Sequence, residues 1–128
     1  LNFYVVPKAI HQRFEGPLAV LTDAESGSTS EILAGGLQDL GRATIIGTRS
    51  AGMALPSYIE RMPNGDAIQY AIGDLMTASG YRIEGQGVEP DIEVPMTIDS
   101  LANGQDPVVE AAHNWIETQT TNSSGDIP

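Results

Sequence analysis

From Pro17 to Thr22 the chain runs Pro-Leu-Ala-Val-Leu-Thr, apolar with no polar alternation. That is the pattern of a strand covered on both faces. A second such run, Ala43-Thr44-Ile45-Ile46-Gly47, follows some twenty residues later. Between them, over 31–40, Ile32, Leu33, Leu37 and Leu40 fall at helical spacing. Gly35 and Gly36 lower the helix propensity but permit close approach to a neighbour, and Gly41 is a natural stop. Strand, helix and strand in this space predict a βαβ unit with a parallel pair and a right-handed crossover. An earlier strand is predicted over Leu1 to Val6, ended by Pro7, with a polar loop from Lys8 to Gly16.

Beyond the unit, Arg49 to Pro56 is a loop rich in glycine, alanine and serine. Tyr58–Met62 and Ala67–Ile72 flank Pro63-Asn64-Gly65-Asp66 and predict a hairpin with an Asn-Gly turn. Leu75–Thr77 is short and extended, Ser79-Gly80 is a turn, and Tyr81 to Asp91 is a glycine-rich ordered loop. Asp106 caps a last helix with Pro107 at its first position, and Val108, Val109, Ala112, Trp115 and Ile116 form its buried stripe. Residues 118–128 are polar and predict a frayed tail. No internal repeat is visible, so the pattern describes one α/β domain.

Composition narrows the function. The chain has 128 residues and is 41% hydrophobic, enough for a sizeable core. It has no cysteine, which excludes disulfides, thiolate chemistry and cysteine zinc sites. The formal charge of −11 argues against nucleic acid and anionic membranes as partners. The acids are scattered, as on a solvated surface. His11 and His113 are too far apart in sequence to suggest a metal cluster, and no cofactor motif is present. No apolar run approaches a membrane span of roughly 20 residues. The chain opens at Leu1 with no basic and apolar targeting pattern, and a start without methionine points to an excised or processed piece.

The chemistry concentrates in Ser26-Gly27-Ser28-Thr29-Ser30-Glu31, where the first apolar run gives way to the helical pattern. Ser28-Thr29-Ser30-Glu31 is a Ser-x-x-Glu capping box. The same position, after a buried strand and at a helix N-terminus, suits a nucleophile whose oxyanion is held by free N–H groups. A serine can be both cap and nucleophile.

Those residues carry a resemblance. "GPLAVLTDAESGSTSEILAGGLQDLGRATIIGTRSAG" resembles the core of the tail-specific, C-terminal-processing serine proteases. "RIEGQGVEPDIEV" resembles their closing segment and "DPVVEAAHNWI" their last helix. The resemblance implies a ClpP/crotonase-like spiral α/β fold, of which residues 1–117 would be the later half of the peptidase domain. The glycine-rich oxyanion segment and PDZ domain of that family would lie upstream. It implies Ser28 as nucleophile, the Thr29 N–H as half of the oxyanion hole, a peptide or protein substrate, no cofactor or metal, and an extracytoplasmic location.

One departure is plain. Many members place a general-base lysine 25 positions after the serine, and a glutamine four further on; here Met53 and Ser57 stand there. Methionine accepts no proton, and Lys8 is the only lysine. The departure resembles a Lys-less, tricorn-like branch in which a histidine from upstream is the base and a late glutamate supports the site. Glu84 is that supporting carboxylate or a surface loop residue. Arg49 binds a substrate carboxylate or forms a surface ion pair. The alternative is a non-catalytic pseudoprotease or a ligand- or peptide-binding module on the same fold, with Met53 as packing. Without the resemblance, the serines cap a helix in a soluble α/β domain. Asp23 could order the loop before Ser28, and Asp91 would hydrogen-bond the turn on which it sits.

Overall fold

The computed structural model describes residues 14–123; the strand predicted over Leu1 to Val6, Lys8 and His11 lie outside them. The two apolar runs become β1 (Ala19–Thr22) and β2 (Thr44–Gly47), joined by α1 (Thr29–Asp39); β1, expected to be covered on both faces, lies at an edge of its sheet among the described residues, with Leu21 exposed. The two strands pair in parallel, with Ala19 opposite Thr44 and Thr22 opposite Gly47. After the β3–β4 hairpin (Ser57–Arg61, Ala67–Ala71) the chain returns as β5 (Ile92–Glu93), parallel to the other edge of β2. The order β1-β2-β5 puts β2 in the centre. Ile45 and Ile46 are both fully buried there, and neighbours on a strand point to opposite faces, so both faces of β2 are covered. Ile45 joins Ala34, Ala54, Ile83 and Val88 in the core beneath α1. The last helix, α3 (Pro107–Ser123), packs on β1 and β2.

Helix α1 starts and stops as its sequence predicts. At its C-terminus the Gly41 N–H bonds the Gln38 carbonyl and the Arg42 N–H bonds the Leu37 carbonyl, both at 2.8 Å, with Gly41 at φ +62°. This pair of bonds is the Schellman motif. The buried face is only partly the predicted apolar one: Ile32 packs against the core and Leu37 is half-buried. Glu31, Ala34 and Gly35 are buried, while Leu33 and Leu40 are exposed. Close packing explains the choice: a Cβ on Gly35 would sit 2.8 Å from Ile83 Cδ1, so only a small residue lets α1 settle on the 83–88 loop.

Three other expectations change. The hairpin turns through Met62–Asp66 rather than a two-residue Asn-Gly turn: Gly65 N–H bonds the Met62 carbonyl at 3.0 Å and Met62 N–H bonds the Asp66 carbonyl at 2.8 Å. Only Gly65 takes positive φ there, whereas a type I′ turn needs it at Asn64 too. Helix α3 does not fray at 118 but continues to Ser123, where Thr118 and Thr121 hydroxyls donate back to the carbonyls of Trp115 and Glu117. Its cap is as predicted, Asp106 Oδ1 accepting from the Val108 and Val109 N–H groups at 3.0 Å each, but Val109 itself is exposed. Finally, a five-residue helix, α2 (Ile98–Ala102), precedes it behind a Thr97 cap.

Candidate active site

In a parallel sheet the carboxyl ends of neighbouring strands lie side by side, and so do the loops that leave them. The loop after β1 and the loop after β2 are joined here by three backbone bonds. Thr48 N–H donates to the Thr22 carbonyl (2.9 Å), Ala51 N–H to the Ser26 carbonyl (2.9 Å) and Ser28 N–H to the Met53 carbonyl (2.8 Å). Asp23 orders the first loop: its Oδ1 accepts from the Glu25 N–H at 3.0 Å and the Ser26 hydroxyl at 2.8 Å.

Ser28 sits at the end of that loop, exposed, as N-cap of α1. Its backbone has φ 59° and ψ −127°, the one positive φ outside glycine among the described residues. Such backbone is costly for a residue with a Cβ and persists only where surroundings enforce it. Thr29 is the first residue of α1, so its N–H has no acceptor within the helix and lies at the positive end of the dipole.

The enforcing group is Glu31, which the sequence marks only as a capping-box partner. It is fully buried. Oε2 accepts from Ser28 N–H (3.1 Å) and Met53 N–H (2.9 Å); Oε1 accepts from Gly52 N–H (2.6 Å) and the Ser50 hydroxyl (2.5 Å). The Ser50 hydroxyl in turn accepts from Val88 N–H at 2.7 Å. Four donors meet a carboxylate that has left water, the condition for burying it without a cation.

The other predicted residues fall close by with defined partners. Met53 is exposed, with its carbonyl on Ser28 N–H and its methyl 3.9 Å from where a Cβ on Gly27 would lie. The residue at the family's lysine position therefore flanks the serine loop. Glu84 is half-buried and accepts from the N–H groups of Ala54 (2.7 Å) and Leu55 (3.1 Å), the two residues after Met53. Arg49 donates to the Gln86 carbonyl at 2.8 Å and pairs with Glu89 on the surface, so a substrate carboxylate would have to displace Glu89. His113 is exposed beside Glu117. Asp91 does not bond its own turn. It reaches across to β2 and α1, accepting from Ile45 N–H (2.7 Å) and Gln38 Nε2 (2.9 Å). An open cleft of about 370 Å³ runs along the carboxyl ends of the strands between Leu21, Ser26, Thr48 and Met96. Ser28 is not among its walls, so it adjoins the serine rather than containing it.

A serine at the N-cap of a helix, beyond the carboxyl end of a parallel sheet, stands where free N–H groups and the helix dipole can hold an oxyanion. The chain belongs to peptidase family S41, whose profile matches residues 4–94. It is similar to a carboxy-terminal-processing protease of Bartonella bacilliformis, 40% identical over 92 residues that make up 72% of this chain and 21% of that protein. Among solved structures it is similar to the photosystem II D1 C-terminal processing protease, with a TM-score of 0.55 and 33% identity over 62% of this chain and 20% of that one. Its fold is also that of the tricorn protease, with a TM-score of 0.71 at 24% identity, covering 82% of this chain and 11% of that one. The chain thus spans about a fifth of the length of the curated relatives it matches. Among the described residues, no helix is long and apolar enough to cross a membrane.

Proposed function

We propose that the protein carrying this chain is a serine peptidase acting on peptides or on C-terminal segments of proteins, with Ser28 as its nucleophile. The observation that carries the reading is the exposed serine on positive-φ backbone, with the Thr29 N–H at the first turn of α1 beside it. Ser28 Oγ attacks the scissile carbonyl carbon while a base takes its proton. The oxygen that becomes negative is held by the Thr29 N–H and a second donor. The C–N bond then breaks, the base returns the proton to the leaving amine, and water releases the acyl group from Ser28 by the same steps in turn. Met53 cannot serve as base, and on this reading the base comes from outside this chain, as it would in a Lys-less, tricorn-like member. Glu84 supports the site through the backbone after Met53.

In the whole protein, Ser28→Ala should abolish hydrolysis of a fluorogenic peptide and labelling by a fluorophosphonate. Retained hydrolysis in that variant would show the nucleophile to be elsewhere. Met53 favours a second reading, a peptide-binding pseudoprotease on the same fold. Its mark would be a parent protein that binds peptides yet neither labels nor hydrolyses.

A further inference from the structure

We propose that Glu31 is the positioning residue of this serine site: one carboxylate fixes Ser28 on its strained backbone and clamps the 50–53 segment against it. The proposal rests on Ser28 being the nucleophile. A capping-box glutamate ordinarily reaches back to one N–H from a solvent-exposed face. Glu31 is fully buried, and only one of its four bonds is the capping bond. The other three go to Ser50, Gly52 and Met53.

The connections close a ring. Ser28 N–H is shared between Glu31 Oε2 and the Met53 carbonyl, and Met53 N–H returns to the same Oε2. Ser28 therefore cannot rotate out of positive φ without breaking bonds to two segments at once. Through Ser50 the clamp continues to Val88, and Gly85 N–H bonds the Gly52 carbonyl at 2.8 Å, so the Glu84 loop is tied to it too. No side chain that accepts at only one oxygen can replace this group. In Glu31→Gln the amide NH2 faces Ser28 and Met53 N–H in one orientation and Gly52 N–H in the other, leaving donors opposed to donors.

The test compares the whole protein with its Glu31→Gln, Ser50→Ala and Ser28→Ala variants on a fluorogenic peptide. A nucleophile displaced by an ångström loses rate rather than binding. Per folded molecule, Glu31→Gln should lower kcat by ~10²-fold or more while KM stays within about threefold. Ser50→Ala, which removes one of the four donors to Glu31 and takes the acceptor from Val88 N–H while keeping the three N–H donors to the carboxylate, should lower kcat by roughly 3- to 10-fold. It stands in if Glu31→Gln does not fold. Folded variants with parental kcat, or activity that falls only with the folded fraction, would overturn the proposal. Amide exchange in the whole protein reads the clamp without chemistry. Ser28, Gly52 and Met53 N–H should exchange at least ~10-fold faster in Glu31→Gln relative to Ile45, and unchanged protection would overturn the clamp. Hydrolysis by Ser28→Ala would instead sink the nucleophile reading, and the exchange result would still decide whether Glu31 holds the loop.

Discussion

Ser28 combines two things a residue rarely combines, a Cβ and a backbone at φ 59°, ψ −127°. The strain belongs to the Cβ, so removing the Cβ should relieve it. Ser28→Gly is expected to be more stable than Ser28→Ala by about 0.5–2 kcal/mol, after the larger chain entropy of unfolded glycine is set against the relief. Urea unfolding of the two variants measures the difference, and equal midpoints would mean that the site is not strained. At this scale the sequence revealed the local half of the site. Ser-x-x-Glu is a pattern within one turn, so both Ser28 and the Glu31 arm could be read from spacing. What the Glu31 carboxylate does with its other lone pairs could not, because Ser50, Gly52 and Met53 lie 19, 21 and 22 positions away and carry no pattern of their own. Asp91 misled for the same reason: its partners are Ile45 and Gln38, not its neighbours.

Helix α1 shows how an element can be legible in extent and illegible in orientation. Its start at a serine and its stop at Gly41 follow from cap chemistry that is encoded locally. Which face turns inward depends on the 83–88 loop, fifty residues on, and that loop accepts Gly35 and Ala34 rather than Leu33 or Leu40. The two glycines of the helix therefore play opposite parts. Nothing lies within 4 Å of a Cβ on Gly36, so Gly36→Ala should stabilise by about 0.5–1 kcal/mol through helix propensity. A Cβ on Gly35 meets Ile83 Cδ1 at 2.8 Å and Val88 Cγ2 at 3.2 Å, and Gly35→Ala should lose about 1 kcal/mol despite the same propensity gain. Thermal melts of both variants test the pair; two stabilising substitutions would disprove the close contact. The elements that periodicity missed are those with too little of it. Strand β5 has two residues, α2 has five, and the last turns of α3 are polar and bond through their own threonines.

The whole molecule depends on a few ties between segments far apart in sequence, and Asp91 is the one with most to lose. The strand it precedes, β5, is too short to hold itself to the sheet, yet its pairing begins at Ile46, next to the residue Asp91 grips. Asp91 meets Ile45 twice, its own N–H donating to the Ile45 carbonyl at 2.8 Å while Oδ2 accepts from the Ile45 N–H at 2.7 Å. Oδ1 holds Gln38 of α1, which also donates to the Glu89 carbonyl at 2.9 Å. One side chain thus joins the central strand, the helix bearing the serine and the loop whose Glu84 and Val88 reach the site. Asp91→Ala leaves the N–H of a fully buried residue without an acceptor, a loss of about 1–3 kcal/mol, with a further share from the released helix. Asp91→Asn can still accept at one oxygen and should lose about half as much. The loss should appear as a lower urea midpoint at unchanged m, and as faster exchange of the Ile45 amide in Asp91→Ala. A variant as stable as its parent would mean that β5 is held by its own two residues, and that the serine site does not depend on this tie.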